Sequence, residues 1–280
     1  MYGGGNWTPP NTGALSETLG FSAGTTVGVT LTSGAANTKG SYVDVGGVTS
    51  FTYNRLCVQF ITPSAAADFV VDLAVNASGN RFIIAEDLRY STARRFVSEG
   101  TQVYELPLTI KGGAQLSARC ASATASATMQ IVMQGFSNGV AGMPGLSRCR
   151  ALYTPATSRG VAIDPGGTAN TKGAYSQLVA SSGFNAELLM MAIGFNDDIA
   201  RAAAARFSQD LAIGAGGAEQ IFNPDYFFCC GTTTDGPFMS GGMLLPFYIP
   251  AGSRISARGQ SSSIVAGDCT WDLALWGFER

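Results

Sequence analysis

Residues 34–42 run Gly-Ala-Ala-Asn-Thr-Lys-Gly-Ser-Tyr, and residues 167–175 run Gly-Thr-Ala-Asn-Thr-Lys-Gly-Ala-Tyr. Seven of nine positions agree at a shift of 133. Three more blocks follow in the same order. Phe69–Val75 aligns with Phe207–Ile213 at a shift of 138, Leu106–Arg119 with Leu245–Arg258 at 139, and Gly135-Phe136 with Gly277-Phe278 at 142. A shift that grows only between blocks is what tandem copies with loop insertions produce. Two homologous domains are therefore expected, at 13–138 and 150–280, behind an N-terminal arm (1–12) and joined by a glycine-rich linker (139–149).

Inside the blocks the polarity alternates with the period of a strand. Phe69, Val71, Leu73 and Val75 share a face, and Phe207, Gln209, Leu211 and Ile213 repeat it. Asp72 and Asp210 fall on the other side, where outward-facing acids are expected. Met129, Ile131 and Met133 alternate with Gln130 and Gln134, as Trp271, Leu273 and Leu275 do with Asp272. Glycine and serine clusters punctuate the chain at short intervals and long amphipathic stretches are lacking. The pattern predicts an all-β protein, two tandem homologous β-sandwich domains of jelly-roll-like type. One segment differs: Asn196-Asp197-Asp198, alanines and a late Arg206 predict a short helical insertion in an inter-strand loop of the second domain.

Composition narrows the chemistry. The 280 residues include no histidine, which removes Ser-His-Asp and Cys-His nucleophile systems and histidine-ligated zinc or haem. A net charge of −2 and 46% hydrophobic residues disfavour a disordered or nucleic-acid-wrapping chain. Among the 17 basic residues only Lys39, Lys111 and Lys172 are lysine, and that arginine bias suits an assembly. Cys57, Cys120, Cys149, Cys229, Cys230 and Cys269 have no zinc-site spacing; they are buried thiols or disulfides formed in an oxidising medium. Residues 1–10 have neither a basic start nor an apolar run. The longest apolar stretches, Leu188–Phe195 and Met243–Ile249, are too short to cross a bilayer, so a soluble chain without a signal peptide is expected.

Candidate reaction centres dissolve on inspection. Gly214-Ala215-Gly216-Gly217 lacks the third glycine of a dinucleotide fingerprint, because Glu219 stands there. Asp197-Asp198 and Glu86-Asp87 lack calcium-loop spacing, and Asp72 and Asp210 lie one per domain on single strands. No catalytic residue, metal ligand or cofactor is expected. Asn37 and Asn170 suit left-handed backbone and Gly40 and Gly173 suit positive φ, so the repeated motif is expected to be a turn before a strand. Arg119 and Arg258, each closing a strand at the same point of its copy, are expected to stabilise the fold by hydrogen bonding. Partner contact is expected from Tyr2 and Trp7 on the glycine-rich arm, from Arg201 and Arg206, and from Tyr226, Phe227 and Phe228 on a loop.

The Ala-Asn-Thr-Lys-Gly-Ser/Ala-Tyr segments (36–42 and 169–175) and Ile249–Arg258 resemble segments of tailed-bacteriophage virion proteins, the β-sandwich units of tail, collar and capsid-attached fibres or decorations. Copy one departs from the second motif, with Ile110-Lys111-Gly112-Gly113-Ala114-Gln115 in its place, and has diverged in what it touches. The resemblance implies a non-enzymatic structural or host-attachment component of the virion, assembled in the host cytoplasm. Its partners would be other virion proteins and copies of itself, trimers favoured, with no nucleic acid and no membrane insertion. A carbohydrate-binding adhesin module, stacking host-surface glycan on Tyr226 or Trp276, is the alternative.

Overall fold

A computed structural model of the chain describes residues 15–21, 27–61, 67–77, 80–91, 102–137, 145–154, 159–195, 205–230, 242–263 and 270–280. All its regular structure is strand. Copy one supplies β1 (Leu15–Leu19), β2 (Val29–Thr32), β3 (Val43–Val48), β4 (Arg55–Ile61), β5 (Asp68–Ala77), β6 (Asn80–Ser91), β7 (Gln102–Leu106), β8 (Gln115–Ser122) and β9 (Thr128–Ser137). Copy two supplies β10 (Arg148–Ala151), β11 (Val161–Ile163), β12 (Ser176–Val179), β13 (Leu188–Phe195), β14 (Ala205–Ile213), β15 (Gln220–Cys230), β16 (Met243–Leu245), β17 (Ile255–Ser261) and β18 (Trp271–Glu279).

The second half repeats the first strand for strand. In copy one, β1-β9-β4-β7 form one layer, with β2 also on β9, and β3-β8-β5-β6 form the other. In copy two the corresponding runs are β10-β18-β13-β16, with β11 also on β18, and β12-β17-β14-β15. This is the double sandwich that the alternation predicted. The expected helix at 196–204 lies outside the described residues, and Ala205 and Arg206 already belong to β14. Arg148 and Cys149, at the end of the stretch expected to be linker, are the first residues of β10.

Each sandwich closes over large apolar side chains. Tyr53, Phe60, Phe69, Tyr90 and Tyr104 are fully buried in copy one, and Phe207, Trp271, Trp276 and Phe278 in copy two. Some strand glycines make room for them. A Cβ on Gly135 would lie 2.3 Å from the Tyr53 ring, and one on Gly259 would lie 2.2 Å from Trp271. Cys57, Cys120 and Cys149 are buried free thiols, and burial pushes Cys120 up to about 12. Cys229 is a free thiol at the surface.

The two sandwiches share a sheet. Strand β10 pairs antiparallel with β18 along Arg148–Ala151 and parallel with β6 at Cys149 and Ala85, so nine strands join across the copies. Beyond that single β6–β10 bridge, side chains take over the β6 carbonyls. Trp276 Nε1 donates to Glu86 O at 2.9 Å, Tyr153 Oη to Asp87 O at 2.7 Å and Tyr104 Oη to Arg89 O at 2.6 Å. Trp276 packs edge-on against both tyrosines. Burying these carbonyls without donors would cost about 1–3 kcal/mol each.

The equivalent strand of copy two, β15, ends its sheet with no neighbour beyond it among the described residues. Pro224 stands there in the place of Glu86, is exposed and has no N–H to offer a further strand. Pro224→Val is expected to open this edge and to raise concentration-dependent self-association in sedimentation velocity. Unchanged sedimentation would show that the proline does not guard it.

Candidate functional site

The repeated motifs converge on one charge cluster in each sandwich. Lys39 Nζ lies 2.6 Å from Asp72 and 2.5 Å from Asp87, and Arg119 Nε lies 2.9 Å from the other Asp72 oxygen. In copy two, Lys172 Nζ lies 2.8 Å from both Asp210 and Asp225, and Arg258 Nε lies 3.0 Å from Asp210. Each arginine also lies over a motif tyrosine, Arg119 on Tyr42 at 4.5 Å and Arg258 on Tyr175 at 4.7 Å. Strand pairing slips beside each central acid, leaving a bulge on the facing strand. There Asp87 and Asp225 take φ near +49 and +48 and donate their N–H to Asp72 and Asp210.

These clusters correct two expectations and support a third. Asp72 and Asp210 are not outward acids: they are buried under the lysine and arginine of the repeat. Gly40 and Gly173 do not adopt positive φ; a Cβ would lie 2.0 Å from Thr32 O or 2.7 Å from Asp164 O, so close backbone approach requires them. Asn37 and Asn170 do take left-handed backbone, both at φ 57. Burial raises the Asp210 carboxyl, but the Asp225 N–H, Lys172 and Arg258 together bring it below the usual range. Asp225 is likewise lowered by Lys172 and Ser208.

A different group of charges spans the seam between the copies. Arg89 on β6 places Nη2 2.9 Å from Asp272 on β18 and 3.9 Å from Asp68 on β5. Asp68 is held on its other oxygen by Arg159 Nε at 2.8 Å. Both carboxylates and Arg89 are within 3% of full burial, whereas the Arg159 side chain is 32% exposed, so the row of charges opens to solvent at Arg159. Gly194 on β13 makes room: a Cβ there would lie 2.0 Å from an Arg89 nitrogen. Next to it, Trp271 Nε1 donates to Gln209 Oε1 at 2.7 Å, and Gln209 Nε2 meets Met191 Sδ. Among the described residues no group of acids and cysteines is arranged to hold a metal ion.

The described residues expected to touch partners divide between core and surface. Tyr2, Trp7 and Arg201 lie outside the described residues. Tyr226, Phe227 and Phe228 are on strand β15 and not on a loop; Phe228 stacks on Phe207 in the core, Tyr226 is half-buried and Phe227 is 61% exposed. Arg206 is exposed on β14. Trp276 cannot stack a sugar, since it is buried in the seam. The seam acids are not visible among acids that recur in both copies, because Asp68 and Asp272 come one from each and have no counterpart. Their signal is that neither matches an acid at the corresponding position of the other copy.

No family model matches the chain, and no curated protein sequence matches it. Among solved structures it is similar to PNGase F, a glycosylasparaginase from Flavobacterium meningosepticum, at 10% identity and TM-score 0.39 over 94% of both chains. It is similar to the CBM22-1-CBM22-2 tandem of Paenibacillus barcinonensis Xyn10C at 10% identity and TM-score 0.24, over 96% of this chain and 91% of that one. The stem and receptor-binding domain of spike protein P1 from bacteriophage PM2 is also similar, at 8% identity and TM-score 0.24, over 95% and 96%. Likeness at this level concerns strand arrangement alone. The expectation of a non-enzymatic structural component is nonetheless withdrawn, because strand arrangement does not decide catalysis. That expectation passed from a double sandwich without histidine to the absence of catalysis, and an enzyme, the glycosylasparaginase, is among the similar structures.

Proposed function

We propose that the chain is a hydrolase whose reacting groups are the seam carboxylates, Asp68 and Asp272. The observation behind this reading is that the two sandwiches deliver two buried acids to one guanidinium nitrogen, at 3.9 and 2.9 Å, and that the row opens outward at Arg159. Paired carboxylates are the acid and base that a chain without histidine can muster. One carboxylate takes a proton from water as the water's oxygen bonds to the electrophilic carbon; that proton passes by way of the second carboxylate to the departing nitrogen or oxygen as its bond to the carbon breaks. Arg89 lies where negative charge would grow on the electrophile. A role in joining the sandwiches is the competing reading, favoured by the near-complete burial of both acids.

The test is hydrolysis of a panel of glycopeptides and aryl glycosides by the full chain, followed by released amine or phenol. Asp272→Asn and Asp68→Asn are each expected to lower turnover by roughly a hundredfold or more, measured below a melting transition that is lowered but still cooperative. No turnover of any substrate by the folded wild type would overturn the reading in favour of the joining role. The repeated Asn-Thr-Lys-Gly segments support a further part of the proposal, that this hydrolase is carried on a tailed-phage particle. Immunoblotting of purified particles checks it.

A further inference from the structure

We infer that the open end of the copy-one sandwich is a binding site for a pyranose sugar. A groove of about 490 Å³ lies between the β5–β6 hairpin and the loop joining β7 to β8, lined by Phe82, Asn76, Thr109, Lys111, Ser147 and apolar neighbours. Phe82 is 53% exposed, a large apolar ring at the groove. The Arg148 guanidinium lies over the ring, 5.5 Å from its centre. An aromatic face carries negative charge density and attracts the weakly positive C–H face of a pyranose. Around it stand the Thr109 and Ser147 hydroxyls, the Asn76 amide and the Lys111 ammonium, the few polar groups that orient a small ligand in an apolar cleft. Asn76 Oδ1 is sheltered and lacks a hydrogen-bond donor among the described residues.

The second copy serves as an internal control for this site. By the repeat alignment, Gly214 replaces Asn76, Gln220 replaces Phe82, Pro250 replaces Lys111 and Arg254 replaces Gln115. Arg254 fills the corresponding end of copy two with its own partners: Glu219 at 3.1 Å, Gly214 O at 3.1 Å and Gln177 at 2.9 Å. Copy two is thus satisfied internally at the place where copy one keeps an open ring, a lysine and hydroxyls. Gly113, at φ +81 with no atom near its missing Cβ, turns the loop without filling the groove. The groove is also remote from the seam acids. Asp68 and Asn76 stand at opposite ends of β5, roughly 26 Å apart for an extended strand, so the site binds sugar apart from any bond cleavage.

Titration calorimetry of the full chain with methyl glucoside, N-acetylglucosamine and glucuronate tests the inference. Saturable binding of at least one is expected, weakened tenfold or more by Phe82→Ala, a change of about 1.4 kcal/mol. Lys111→Ala is expected to weaken it severalfold, and Gln220→Ala in copy two to leave it unchanged. Melting curves confirm that each variant is folded. Asp272→Asn should bind sugar as the wild type does, so loss of turnover and loss of sugar binding are separate failures. The inference is overturned if the folded wild type binds none of the three sugars, or if binding is indifferent to both copy-one substitutions. It is equally overturned if an apolar peptide saturates the groove where the sugars do not.

Discussion

Arg89→Met is expected to cost the folded chain about 3–5 kcal/mol, the usual penalty for removing one partner from a buried ion pair. The guanidinium sits between Asp68 and Asp272, all three almost fully buried, and its loss takes a positive charge from between two carboxylates in the seam. Methionine keeps an unbranched apolar stem of similar length, so the electrostatic part of the effect dominates. The sign of the pH dependence identifies it. A carboxylate left in an apolar site has its folded pKa raised above the unfolded value, so the penalty is present at neutral pH and shrinks as acid protonates the group. Urea unfolding of Arg89→Met should therefore show a larger deficit relative to wild type at pH 7 than at pH 4. Adding Asp68→Asn and Asp272→Asn should recover much of the deficit. A deficit independent of pH and not recovered in the triple variant would place the role of Arg89 in packing. Gly194→Ala, whose new Cβ enters the space of the guanidinium, should reproduce part of the same phenotype.

Legibility from sequence followed sequence distance. The duplication was plain because its markers are local: nine consecutive residues around Lys39 and Lys172, and alternation within single strands. Those strands appear in the same order in both layers of both copies. Asp72 and Asp210 differ from the outward acids expected because alternation places a side chain on a face and does not reveal what covers it. Lys39 and Arg119 cover Asp72 from 33 and 47 residues away. A signal was available, since Asp87 and Asp225 each follow the central acid by 15 residues in their copies. The seam was not legible at all. It joins Arg89 to Asp272 across 183 residues and pairs strands of different copies, and a repeat comparison reports what the copies share and is blind to what they do to each other. Tyr226–Phe228 show the same limit, a run of aromatics that divides between core and surface once it lies on a pleated strand.

Asp72→Ala and Asp210→Ala are expected to cost about 2–4 kcal/mol each, below the full penalty for a buried pair because the lysines and arginines around them keep some solvent. Each substitution leaves a lysine and an arginine without their shared acceptor and a bulge N–H without its carboxylate. Copy two adds a pH signature. Asp210 and Asp225 are held below the normal carboxylate range, so their contribution is complete above the unfolded value of about 3.9 and is lost as pH falls through the lowered folded values. Wild-type stability should decline below about pH 4, and Asp210→Ala should decline less steeply over the same interval. The pair of variants also reports on the seam. Two sandwiches that unfolded independently would each display their own transition, with only the substituted copy shifted. A shared sheet and a buried row of charges between them predict instead one transition that either substitution moves as a whole. Differential scanning calorimetry with separate probes in β4 and β13 distinguishes these outcomes, and a split transition in either variant would show that the joint between the copies carries little energy.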